Sequence, residues 1–154
     1  MIFVVLSVFC GCQEKKEPLS QPQIDLPLKI EIACPTGAFE IGQPIPVSIL
    51  YTNISPAPLN MVNSFEPVSP ILWEARDKKN RPVEKRKKLS PYTPASETRT
   101  TQLRPGQSLG GSSDINKYFN FIDAETYSIT AHYTALAEGT VSSNSCQLQV
   151  KWPE

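Results

Sequence analysis

Asp123-Ala124-Glu125-Thr126-Tyr127-Ser128-Ile129-Thr130-Ala131-His132-Tyr133 is the stretch whose reading decides the fold. Tyr127, Ile129, Ala131 and Tyr133 take alternate positions, with Thr126, Ser128, Thr130 and His132 between them. A period of two, carried mostly by β-branched and aromatic residues, predicts a strand with one buried face. His132 falls on the outward positions of that strand.

The same alternation recurs on both sides. Upstream, Leu28, Ile30, Ile32 and Cys34 make a first strand, with Phe39 and Ile41 as a short continuation. Val47, Ile49 and Tyr51 follow, then a short run over Leu59 to Val62, then Ile71, Trp73 and Ala75. Thr98 to Leu103 reads as a threonine-rich strand, and Ser108 to Ile115 as a weak strand or loop. Downstream, Ala135 to Thr140 turns the chain back, and Cys146, Leu148, Val150 and Trp152 alternate in a last strand. Fifteen prolines are spread along the 154 residues, and no stretch has a helical pattern. Cys34-Pro35-Thr36-Gly37 and Pro105-Gly106 supply turn chemistry. Asn53-Ile54-Ser55 has the form of a glycosylation sequon and is read as a turn. The expectation is an all-β chain: a two-sheet antiparallel sandwich of seven or eight strands over residues 28–154.

Asp123 four places before Tyr127, at the mouth of a late strand, is similar to the tyrosine corner of immunoglobulin-like sandwiches. The resemblance implies that the Tyr127 hydroxyl bonds back to the backbone and fixes the turn into the strand. It also makes Trp73 a candidate for the buried tryptophan of the third strand. Ile129 stands where that pattern places its second cysteine, so a bridge in this chain would differ from the family's.

The N-terminus carries a different signal. Ile2 to Phe9 is apolar but too short to cross a bilayer as a helix. It leads into Phe9-Cys10-Gly11-Cys12, which resembles the lipobox of bacterial lipoproteins. The resemblance implies a signal peptide over residues 1–11, lipidation of Cys12, and a partner in the membrane that holds the anchor. Residues 12–27 are polar and proline-rich, as a flexible tether would be. Gln13 in place of aspartate after the lipidated cysteine points toward an outer membrane where the cell has one, the outer face of the cytoplasmic membrane being the other location. Export would put Cys34 and Cys146 in an oxidising compartment, where a disulfide is one reading. Two small apolar residues in separate strands is the other.

Fifteen basic residues balance fifteen acidic ones, which argues against a nucleic-acid binder. Basic residues concentrate between Arg76 and Lys88. Lys78, Lys79, Arg81, Lys85, Arg86, Lys87 and Lys88 form either a patch for an envelope protein or other anionic surface, or a hairpin whose lysines shield a sheet edge. Gly106-Gln107-Ser108-Leu109-Gly110 spells a hydrolase elbow, with Asp114 or Asp123 and then His132 following in order. The elbow needs a helix after the serine, and Gly110-Gly111-Ser112-Ser113 cannot start one. Asp114-Ile115-Asn116-Lys117-Tyr118 begins like a calcium loop but lacks the later ligands. No metal or cofactor is expected. The functional expectation is a lipid-anchored, non-catalytic binding or assembly domain of the bacterial cell envelope. A secreted protease inhibitor or accessory domain of an extracytoplasmic enzyme, using a loop such as Leu89 to Ser96, is the alternative.

Overall fold

The computed structural model describes residues 26–62, 70–86, 100–136 and 139–154. The expected signal peptide, Cys12, the tether up to residue 25, Lys87, Lys88 and the Leu89 to Ser96 loop lie outside the described residues. The chain is all-β, with ten strands and no α-helix among the described residues. Sheet one has the order β1-β3-β7, from Leu28–Ala33, Pro46–Asn53 and Ser108–Asp114. Sheet two has the order β2-β10-β8-β5, from Ala38–Glu40, Cys146–Lys151, Thr126–Leu136 and Ile71–Arg76, with β9 (Gly139–Ser142) also pairing β8. A two-stranded ribbon joins β4 (Leu59–Val62) to β6 (Thr100–Leu103).

The alternation read from the sequence decides which faces meet. Leu28, Ile30 and Ile32 of β1 and Val47, Ile49 and Tyr51 of β3 are buried on one side. Ile71, Trp73 and Ala75 of β5, with Tyr127, Ile129, Ala131 and Tyr133 of β8, bury the other. These inner faces form one core, so the arrangement is a β-sandwich. Trp73 is 3% exposed, buried as expected, but it stands on β5, the fifth strand in chain order, and packs beside the Tyr118 ring. Removing the apolar faces from water is the main favourable term in such a fold.

Four details depart from the pattern reading. Ser108–Asp114 is a regular strand, paired to β3 along its whole length. β2 leaves sheet one and pairs parallel with β10, whereas every other strand pair among the described residues is antiparallel. Trp152 lies beyond β10 and is 59% exposed, so the last strand ends at Lys151. Ten strands are found in place of seven or eight because β2, read as a continuation of the first strand, and β9, which begins inside the expected turn, have only three and four residues. A pattern of period two is too brief at that length to count.

β9 and β10 share one edge of β8, and the register slips by one residue between them. His132 faces Ser142, but Ile129 faces Cys146. The extra residue on the β9–β10 side is a bulge, which re-aims a side chain. Asn144 is the residue re-aimed. Its carboxamide accepts from the Ile32 N–H at 2.8 Å and donates to the Ile32 carbonyl at 2.9 Å. Two residues further along each segment, Cys34 and Cys146 form a disulfide, with Cα atoms 5.6 Å apart. The β2–β10 ladder then continues in the same parallel sense. One side of the sandwich is thus closed by side chains first and backbone second.

Candidate functional site

The tyrosine corner stands at one end of the sandwich. The Tyr127 hydroxyl donates to the Asp123 carbonyl at 3.0 Å and accepts from the Asp123 N–H at 3.3 Å. Both bonds go to backbone, so the Asp123 carboxylate is not part of the lock. Burial pushes the Tyr127 phenol above its ordinary pKa. Tyr133 repeats the device on the ribbon: its hydroxyl accepts from the Val62 N–H and donates to the Val62 carbonyl.

Beside the corner lies a depression of about 300 Å³. Pro82, Val83, Ile122 and Tyr127 supply its apolar lining, while Asp77, Glu84, Asp123 and Glu125 bring carboxylates. The basic segment folds against this acidic rim. Lys78 pairs with Glu125 at 3.2 Å, and Arg81 pairs with Asp77 at 2.6 Å. The Asp77 carboxylate also accepts from the N–H groups of Lys79 and Arg81, which closes the turn around Asn80, where φ is +61°. Its pKa is lowered, first by the Arg81 backbone N–H; partial desolvation opposes this, and the Arg81 guanidinium adds to the lowering. Arg86 donates to the Phe119 carbonyl and to the Asn116 side chain.

Of the seven basic residues read as either a patch or an edge-shielding hairpin, Lys78, Arg81 and Arg86 therefore have partners within the chain. Lys79 and Lys85 form no ion pair with the described residues and are exposed. Lys87 and Lys88 lie outside them. The backbone of the segment covers β5, with the Val83 N–H bonded to the Ala75 carbonyl. The surface is one of mixed charge with an apolar floor and Ile122, 62% exposed, at its lip.

The hydrolase-like residues are not brought together. The Ser108 hydroxyl meets Thr52 across sheet one at 2.8 Å. The Asp114 carboxylate accepts from the N–H groups of Ile45 and Asn116, which caps the short 3₁₀ turn Ile115–Lys117. That use also occupies the first ligand of the calcium-like segment. His132, on sheet two, bonds Ser142 through Nδ1 at 2.8 Å and Glu74 through Nε2 at 3.3 Å. Glu74 is also held by Arg76. Partial burial raises the Glu74 pKa, but the hydrogen bonds from Arg76 and His132 outweigh it and leave the group low. Ser142 and Glu74 were not legible as partners of His132, because strand register, not spacing, brings them together. Among the described residues no three His, Cys, Asp or Glu side chains are placed to hold a metal ion.

Asn53 is fully buried, and its sequon serves as turn chemistry. Its amide donates to the carbonyls of Ala57 and Leu103, and its oxygen accepts from the Ser55 N–H and hydroxyl. No helix among the described residues is long and apolar enough to cross a membrane. No known protein family matches the chain, and no curated protein matches it either.

Proposed function

We propose that this chain is an extracytoplasmic binding or assembly module, held to the bacterial cell envelope by a lipid on Cys12. The observation that carries the reading is the Cys34–Cys146 disulfide. A bridge closing most of the domain belongs to a protein matured in an oxidising compartment. The Phe9-Cys10-Gly11-Cys12 resemblance and the polar segment after it supply the route to that compartment and a means of staying there. The function proposed is non-catalytic contact with an envelope partner. Its contact surface is the depression beside Tyr127, with Ile122 as an apolar anchor and the exposed cations Lys79 and Lys85 in the segment that supplies part of its lining. A lipid-anchored module needs only modest affinity for a neighbour, because anchoring both in one membrane raises their effective concentration.

Intact-mass analysis of the chain expressed in a bacterial host tests the anchor and the compartment together. The expected product begins at Cys12 with diacylglycerol and acyl mass, and gains two hydrogens on reduction. An unprocessed chain with free thiols would overturn the reading. Photo-cross-linking in cells from position 122 tests the contact. A discrete adduct lost when Lys79 and Lys85 are both changed to glutamate supports this surface. Adducts unaffected by the double change would remove those cations from it.

A further inference from the structure

An open strand edge presents unpaired N–H and C=O groups to any other chain, so folded proteins shield long edges with cover, charge, proline or bulges. Most edges here are shielded. Asn144 and the disulfide fasten β1, Val83 covers β5, and β2 and β9 are very short. β7 differs. Ser108-Leu109-Gly110-Gly111-Ser112-Ser113-Asp114 has no proline, lysine or arginine, and its ladder with β3 runs without a bulge.

The phase of that ladder can be read. The Asn53 N–H donates to Gln107, and the Ile115 N–H donates to Ile45, one at each end of β7. Odd-numbered residues therefore bond to β3. The alternation of an antiparallel pair directs the backbone groups of Ser108, Gly110 and Ser112 away from it. No described residue meets them.

We propose that β7 pairs antiparallel with β7 of a second copy of this chain, about a two-fold axis through Gly111. In this register Gly110 faces Ser112 of the second copy, and Ser108 faces its Asp114. These pairs are formed by the residues whose backbone groups already point outward, so the hydrogen-bond phase matches over all seven positions. Gly111 meets itself in a non-hydrogen-bonded pair, where Cα atoms approach to about 4.5 Å. The two Asp114 carboxylates fall at opposite ends, so no like charges face each other. The result is a continuous sheet, β1-β3-β7 followed by its two-fold image, through an isologous interface. A second copy is favoured over an unrelated strand because the chain's own midpoint, phase and charge are self-complementary. The pairing rests on β7 alone and does not depend on a lipid anchor or an envelope partner.

The test uses the full chain with Cys10→Ser and Cys12→Ser, oxidised at the remaining pair. Sedimentation equilibrium up to about 1 mM, a concentration that detects even weak association, is expected to show a monomer–dimer equilibrium. Amide exchange at Ser108, Gly110 and Ser112 should slow with concentration, by at least about tenfold when most chains are paired. Ser112→Pro removes an N–H that β3 does not use, and Ser112→Lys adds charge to the edge. Each should abolish association while the disulfide and the melting transition persist. A monomer at every concentration overturns the proposal. So does association that survives both variants. Protection of these amides that is independent of concentration also overturns it, because another segment of the same chain would then hold the edge.

Discussion

Asn144 acts as a neighbouring strand for Ile32, meeting both the N–H and the carbonyl that β1 turns away from β3. A carboxamide can do this because it carries one donor and one acceptor group side by side. A bulge places it, and no strand residue in regular register would reach. Asn144→Ala should destabilise the fold by about 1–3 kcal/mol, since two hydrogen bonds go and two part-buried backbone groups are left behind. Asn144→Asp keeps only the acceptor and should recover little of this. Urea midpoints at constant slope are the measurement; a loss under about 0.5 kcal/mol would mean that water replaces the amide.

The disulfide follows Asn144 on the same face of the molecule. It links residues 112 positions apart, so its effect falls mainly on the unfolded chain. The chain-entropy model gives about 4–5 kcal/mol for such a loop, and measured bridges commonly give about 2–4. Replacing Cys34 and Cys146 with serine should therefore cost about 3 kcal/mol. The urea slope should rise as well, because the open chain exposes more surface on unfolding. Equal stability with and without the bridge would show that the Asn144 contact and the β2–β10 ladder close this side unaided.

Tyr127 locks the backbone of nearby Asp123, and Tyr133 that of distant Val62, each with a hydroxyl that both donates and accepts. Tyr127→Phe and Tyr133→Phe should each cost about 1–2 kcal/mol, with the ring packing kept. Asp123→Ala should cost under about 0.5 kcal/mol, because the corner uses the backbone of that residue and not its carboxylate. A reversed order, with Asp123→Ala the more damaging, would assign the lock to the side chain.

These contrasts explain how far the sequence could be read. Strand positions followed from alternation at Leu28 to Ile32, Ile71 to Ala75 and Tyr127 to Tyr133, because burial on one face imposes a period of two. The Tyr127 corner was legible because its partner lies four residues away. Asn144 was not: its partner is on another sheet, and only a one-residue bulge aims it there. Asn53 offered a sequon, but its bond to the Leu103 carbonyl depends on a ribbon formed by two remote segments. The basic run from Arg76 to Lys88 was visible as composition. What it meets, the acidic rim of Asp77 and Glu125, required the turn around Asn80 and the approach of the corner. The β7 strand was faint because Gly110 and Gly111 carry no side chain to display a face.

Acid should weaken the domain through Asp77 and Glu74. Both carboxyls are lowered in the folded chain, the first chiefly by the Arg81 backbone N–H and the second by Arg76 and His132, whose bonds outweigh desolvation. A carboxyl with a depressed folded pKa binds its proton more readily when unfolded. The stability it contributes is complete above its unfolded value, near pH 4, and is lost as pH falls through the folded value. The acid limb of the stability curve should therefore steepen below about pH 4.5, where the unfolded chain begins to take up protons first. Asp77→Asn keeps an oxygen for the Lys79 and Arg81 N–H groups but removes the titration. It should lower the melting temperature at neutral pH and flatten that limb. A variant whose curve runs parallel to the parent's between pH 5 and pH 2.5, both set as approximate limits of the carboxylate range, would show that the turn around Asn80 stands without the charge.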